Sequence, residues 1–200
     1  MLSKPLMSPN RLDSTPFLCA TRQLLQVQAN LISEDIELPV VIAGGTAVQI
    51  WTRANTTVDI DCEFEGRFYP KECTIPYLDE DGEEKSVYID RNYTPTLAVM
   101  HEDYIDDAVF VEDIGKLAVH VLHPIDLVLS KITRWQEHDR RDVGLLVGAG
   151  LVDAETLKER ADEALRGAIG NLSMFKINLN EALTHVQQSG TSIIKRRHRP

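Results

Sequence analysis

An apolar run, Val41-Ile42-Ala43, breaks at Gly44-Gly45-Thr46-Ala47, and thirteen residues beyond Thr46 the triplet Asp59-Ile60-Asp61 begins. In a strand, alternate side chains share a face, so Asp59 and Asp61 point the same way with Cα atoms roughly 6.6–7 Å apart. Two carboxylates so placed can hold one or two divalent cations, Mg²⁺ or Mn²⁺, of the kind that neutralise phosphate charge and align an in-line attack. The two glycines let backbone N–H groups approach an anion closely at the start of a helix. A cation site beside an anion cradle is the equipment for a metal-bound nucleoside triphosphate (NTP). Each motif also has a plainer meaning: two solvated acids on an edge strand, and a glycine turn whose Thr46 caps the next helix. It is their combination at this spacing that points to phosphate chemistry.

A third metal-binding carboxylate is expected to be Asp90, at the end of the run Ser86 to Ile89, provided that strand neighbours the acidic pair. His120, flanked by Val119 and Val121, is the other option, and the residues alone leave the choice open. Further along, Lys131 has Leu127, Val128 and Trp135 at i−4, i−3 and i+4, which places it on the apolar side of a helix. There it either snorkels outward or grips a triphosphate at an inner surface. Arg134 shares the same rim and adds a planar donor fork suited to phosphate. Asp139 and Asp142, interleaved with Arg140 and Arg141, either form a solvated turn, orient Lys131 or Arg134, or help bind metal.

Positioning these groups requires the following elements. Thr15-Pro16 reads as an N-cap with proline at N1, and Leu18, Leu25, Ala29 and Ile32 recur at helical spacing, predicting a helix over 16–33. Residues 1–13 are a loose lead-in. A strand over 38–43 leads into the glycine turn and a short helix over 46–53. Val58 to Cys62 alternates as a strand with one polar face, and runs 74–78 and 86–89 flank the acidic hairpin turn Asp79 to Lys85. Strands at 108–112 and 117–122 follow. Helices are expected over 124–137, 139–148, 153–166 and about 174–188, with a disordered basic tail from Lys195 to Pro200. The fold class is α/β (α+β), a mixed sheet flanked by helices. The domains are a core over 1–123 and a helical region over 124–200 packed on it.

Composition narrows the partners. A count of 31 acidic against 21 basic residues gives a net charge of −10, which argues against nonspecific polyanion binding over the whole surface. A local patch from Arg134, Arg140, Arg141 and the tail is still compatible with RNA. Three cysteines (Cys19, Cys62, Cys73) make no CxxC pair and no even disulfide set, as in a reducing cytoplasm. There is no signal-type apolar core and no run of the ~18–20 apolar residues a membrane span needs.

With these pieces assembled, the chain resembles a minimal nucleotidyltransferase of the DNA polymerase β superfamily, and more narrowly its AbiEii-type group of abortive-infection and toxin–antitoxin toxins. The resemblance covers about residues 36–165. Its residues are Gly44-Gly45-Thr46 with Asp59-Ile60-Asp61, then Val119 to Leu127 with Pro124 opening a helix, Lys131, and His138-Asp139-Arg140-Arg141-Asp142. His138 stands where the group's R-D-x-x-D element has its first arginine. The arginine frequent before D-x-D is displaced to Arg53, with Asn55 nearest. The resemblance implies that Asp59 and Asp61 hold Mg²⁺, with Asp142 among the catalytic residues. Gly44, Gly45 and Thr46 seat the triphosphate, and Lys131 and Arg134 counter its charge. An acceptor hydroxyl then takes the nucleotidyl group and pyrophosphate leaves. In related toxins the acceptor can be the 3′ end of tRNA, and a cognate antitoxin is the implied partner. The rival readings are a catalytically silent, antitoxin-like binding module and an enzyme that modifies a protein or small molecule.

Overall fold

The computed structural model describes every residue except 1, 4, 6, 34, 35, 55, 56, 67 and 198–200, and describes 191–197 as backbone alone. The chain resolves into two compact units: Pro9–Thr94 with Ala108–Leu122, and Met1–Ser8 with Pro95–Asp107 and His123–Pro200.

The first unit carries two sheets. Helix α1 (Pro16–Ala29) starts where Thr15 Oγ1 accepts from Leu18 N–H at 3.2 Å, with proline next to the cap, and buries Phe17, Leu18, Leu24 and Leu25. It ends at Ala29, short of Ile32. Strand β1 (Leu38–Ile42) runs into α2 (Gly44–Thr52), which buries Ala47, Val48, Ile50 and Trp51. Strands β2 (Asp59–Ile60) and β3 (Cys62–Phe64) follow, then β4 (Thr74–Leu78), β5 (Glu84–Ile89), β6 (Val109–Ile114) and β7 (Leu117–Val121). One sheet has the order β3-β1-β7-β6 and the other β2-β5-β4. The single alternating strand expected over Val58 to Cys62 is therefore two strands. β2 pairs parallel with β5 in one sheet, and β3 pairs antiparallel with β1 in the other. Asp61 is the residue at which the chain changes sheets.

The lead-in is not loose over its second half. Leu12 is fully buried, its N–H donates to buried Glu112 at 2.9 Å, and Arg22 Nε donates to the same carboxylate at 3.0 Å. A buried carboxylate needs such hydrogen-bond donors, so the lead-in and α1 are fixed by one acid on β6.

The second unit is helical: α3 (Pro124–Ile132), α4 (Glu137–Gly148), α5 (Ala154–Gly167) and α6 (Ser173–Arg197). Helix α3 is capped by His123, whose Nδ1 accepts from Ile125 N–H at 3.2 Å, with Pro124 following. The helix expected to reach residue 137 stops at Ile132, and Trp135 takes a left-handed φ of 48°. That turn lets α4 start anew, with Asp139 accepting from Gln136 N–H at 2.9 Å. Arg160 of α5 is fully buried and forks onto Asp126 of α3 at 2.9 and 2.8 Å, which fixes these two helices against each other. Burial alone would lower the Arg160 pKa, but Asp126 and Asp107 raise it. Helix α6 continues through Lys195 to Arg197, where a disordered tail was expected, and His198 to Pro200 lie outside the described residues.

The expected fold class holds: mixed sheets with flanking helices, then a helical C-terminal half. No helix among the described residues is long and apolar enough to cross a membrane.

Candidate metal and nucleotide site

β1 delivers the chain to Ala43, which has extended backbone geometry and offers no side-chain cap to α2. Gly44 opens the helix with a φ of 58°, a conformation L side chains rarely adopt. A Cβ built on Gly44 would sit 1.9 Å from Asp61 Oδ2 and 2.7 Å from its Cγ. Glycine is required here for room as well as for φ, because the Asp61 carboxylate lies directly over the helix start. Ala43 N–H donates to Asp61 O at 2.8 Å, so the backbone holds the same approach. Thr46 is fully buried, and its hydroxyl donates to Asp59 O at 2.7 Å. Its side chain therefore ties α2 to β2. The Thr57 hydroxyl donates to Asp59 Oδ1.

The third member comes from β5. Parallel pairing sets Asp59 beside Tyr88 and Ile60 beside Ile89, and Asp90 N–H donates to Ile60 O at 3.0 Å. Registered neighbours on parallel strands face the same way, so Asp59, Asp61, Tyr88 and Asp90 share one face while Ile60 and Ile89 enter the core. One carboxylate oxygen each from Asp59, Asp61 and Asp90 lies within 4.8 Å of the others, and all three residues are half-buried. Burial, reinforced by the charges of Asp61 and Asp90, pushes the Cys62 thiol far above its ordinary range. His120 does not join the group: its Nδ1 lies 3.0 Å from Ala118 O and its ring packs edge-on against Phe110.

Three carboxylates at this separation form a hard, all-oxygen donor set that suits Mg²⁺ or Mn²⁺. The space over Gly44 that a Cβ would fill leaves Asp61 able to join the set. On both counts the residues fit a divalent cation.

A family model described as "Nucleotidyltransferase of unknown function (DUF6036)" matches residues 22–186. The chain belongs to that family. No curated protein and no solved structure matches it. The matched DUF6036 span contains both the glycine–acid constellation and the helices with Lys131, Arg134, Asp139 and Asp142.

In the helical unit, Lys131 is 4% exposed and its Nζ donates to Asp142 Oδ2 at 2.7 Å, with Asp139 Oδ1 at 3.9 Å. Arg134, more than half exposed, forks onto Asp139 at 3.0 and 2.8 Å. Burial would raise the Asp139 pKa, but the Arg134 fork, the Gln136 N–H and the charge of Lys131 together hold it below the ordinary value. The acids thus orient both cations. Arg140 sits 5.7 Å over the Trp135 ring. Arg53 caps α2 with a φ of 63° and donates to Asn10 at 2.9 Å, while Asn55 lies outside the described residues.

Sequence reasoning passed over two features. One is Thr57: a hydroxyl two residues before an aspartate is a local signal for a side-chain hydrogen bond. Tyr88 carries no signal in its own neighbourhood, because it is the β2–β5 register that brings it to the carboxylate face.

Proposed function

We propose that this DUF6036 protein is a metal-dependent nucleotidyltransferase that moves a nucleoside monophosphate from an NTP to an acceptor hydroxyl, releasing pyrophosphate. The observation that carries this reading is the convergence of Asp59, Asp61 and Asp90 beside a helix start kept open by Gly44. Asp59, Asp61 and Asp90 would hold Mg²⁺ or Mn²⁺. Such a cation, when bound, neutralises charge on the triphosphate and on the leaving pyrophosphate.

The chain's own residues do the rest. Gly44 and Gly45 bring the start of α2 to the triphosphate, where backbone N–H groups and the helix dipole favour an anion. Thr46 keeps that helix in register with Asp59. The resemblance implies that Arg134 and Lys131, which Asp139 and Asp142 orient, counter the charge of the phosphates. The acceptor oxygen bonds to the α-phosphorus, the P–O bond to the β-phosphate breaks, and the hydroxyl proton passes to a carboxylate of the trio, for which we assign Asp90. Catalysis is then positioning and electrostatics, with no covalent intermediate on the protein.

For the acceptor we propose RNA, with the 3′ end of tRNA as the form the AbiEii resemblance suggests, and for the biological role a toxin with a cognate antitoxin. The test is incubation of the protein and its Asp61→Asn variant with each α-labelled NTP, Mg²⁺ and either total RNA or cell protein. Label in RNA with the wild type, reduced about a thousandfold or more in the variant, is the expected result. Equal labelling by both proteins contradicts the mechanism. Label confined to protein contradicts the RNA acceptor. No label together with no metal-dependent NTP binding leaves a silent binding module.

A further inference from the structure

A cavity of about 670 Å³ adjoins the carboxylate trio, and the residue they share is Asp90. Its walls include Tyr69, Lys71, Tyr88, Arg91 and Asn92. Tyr69 is 85% exposed and Tyr88 is 43% exposed, so two aromatic rings reach solvent where burial would have been the more favourable state. Tyr88 shares its strand face with Asp90, two residues on. Arg91 meets Glu72 at 3.3 Å with both side chains largely in water, a pairing worth little that a stronger anion can displace. The wall bearing Tyr69 and Lys71 is anchored from behind. Fully buried Gln28 of α1 accepts from Lys71 N–H at 2.8 Å and donates to Lys71 O at 3.0 Å. That wall is thus held in place, and the lining sets two cations, Lys71 and Arg91, beside two open aromatic faces, with Glu72 and Asp90 as its acids.

Exposed aromatic rings interleaved with cations are what single-stranded nucleic acid binds: bases stack on the rings and the backbone tracks the positive groups. We infer that this cavity receives the terminal nucleotide of a single-stranded RNA acceptor, stacked on Tyr88 and Tyr69, with its phosphate met by Lys71 and Arg91 and its terminal hydroxyl directed to Asp90. This rests on the transferase reading above and adds to it which side of the trio the acceptor occupies. The NTP is assigned to the Gly44 side and the acceptor to the Asp90 side. The volume suits one nucleotide with room for part of a second, within the usual range for small-ligand sites.

The experiment uses the full chain and a 12-nucleotide single-stranded RNA carrying a 5′ fluorophore, followed by anisotropy, in parallel with binding of a fluorescent ATP analogue and Mn²⁺. Tyr69→Ala, Tyr88→Ala and Lys71→Ala should each weaken RNA binding about tenfold, while Tyr88→Phe should retain it. ATP-analogue and Mn²⁺ binding should stay within twofold for all four. In the labelling assay the same three alanine variants should raise the KM for RNA and leave the KM for NTP unchanged. Tyr69 and Lys71 are exposed, so their variants remain informative if Tyr88→Ala does not fold. RNA binding unchanged in Tyr69→Ala and Lys71→Ala would overturn the inference. Loss of ATP-analogue binding in those variants would also overturn it, by assigning the cavity to the donor nucleotide. An inactive wild type that still binds RNA through these residues would defeat the transferase reading alone.

Discussion

The molecule gathers acids in two places and treats them differently. In the helical unit, Asp139 and Asp142 are almost wholly buried and each faces a cation of the same chain: Lys131 at 2.7 Å from Asp142, and the Arg134 fork at 2.8 and 3.0 Å from Asp139. In the sheet unit, Asp59, Asp61 and Asp90 are half-buried and face one another, with oxygens within 4.8 Å. Like charges that close repel, and a bound cation relieves the repulsion. In the first arrangement each acid faces a cation of the chain, although Asp142 Oδ1 is buried without a hydrogen-bond partner. The second, we propose, takes its positive charge from a bound cation. Acid count does not separate the two; the sign of the nearest neighbour does.

Substitutions at Asp142 and Asp90 should separate the two groups of acids. Asp142→Ala leaves Lys131 buried without its 2.7 Å partner, and should cost about 3–5 kcal/mol in urea unfolding. Asp90→Asn, which removes a charge from a crowded acidic group, should leave stability unchanged or raise it. Equal losses from the two substitutions would erase the distinction. Gly44→Ala is the next largest. Its Cβ would lie 1.9 Å from Asp61 Oδ2 at a φ of 58°, so Asp61 or the helix start must move. We expect a loss of about 1–3 kcal/mol together with impaired metal binding, whereas Gly82→Ala in the β4–β5 turn, where a Cβ meets nothing, should spare the metal.

The smallest effect is on pH dependence, and it belongs to the helical unit. Burial lowers the His123 pKa below its ordinary 6.5, outweighing the Ser3 carbonyl and the charges of Asp126 and Asp107. The unfolded chain therefore takes up that proton first, and stability should decline as pH falls below about 6.5. Asp139, held below its ordinary 3.8, contributes stability above that value that is lost as pH falls through the folded one. Melting temperatures from pH 8 to 3 should fall in these two stages. His123→Gln should remove the upper stage and Asp139→Asn the lower, and a profile unchanged by either would contradict the assignment.

Local patterns made much of this legible. The glycine turn, the D-x-D alternation, the Thr15-Pro16 helix start and the β4–β5 hairpin all follow from neighbours in sequence. What stayed open depended on contacts far along the chain. Asp90 could be offered as a third ligand only on condition that its strand lay beside β2, and parallel pairing across some thirty residues leaves no periodic trace. The anchoring of Leu12 by Glu112 is equally remote. The break after Ile132 escaped notice because Trp135 continues the helical spacing of apolar residues, although its backbone turns left-handed. For Lys131 on its apolar face, local pattern offers Asp142 as an orienting acid among other roles, and the fold selects that one at 2.7 Å.

Whether the trio is a cation site is decided by Mn²⁺ titration of the purified full chain, followed by electron paramagnetic resonance. Saturable binding that Mg²⁺ competes away is expected, weakened at least tenfold by Asp61→Asn or Asp90→Asn and unchanged by His120→Ala. Absence of saturable binding, or equal binding by the wild type and both aspartate variants, would contradict a cation site there.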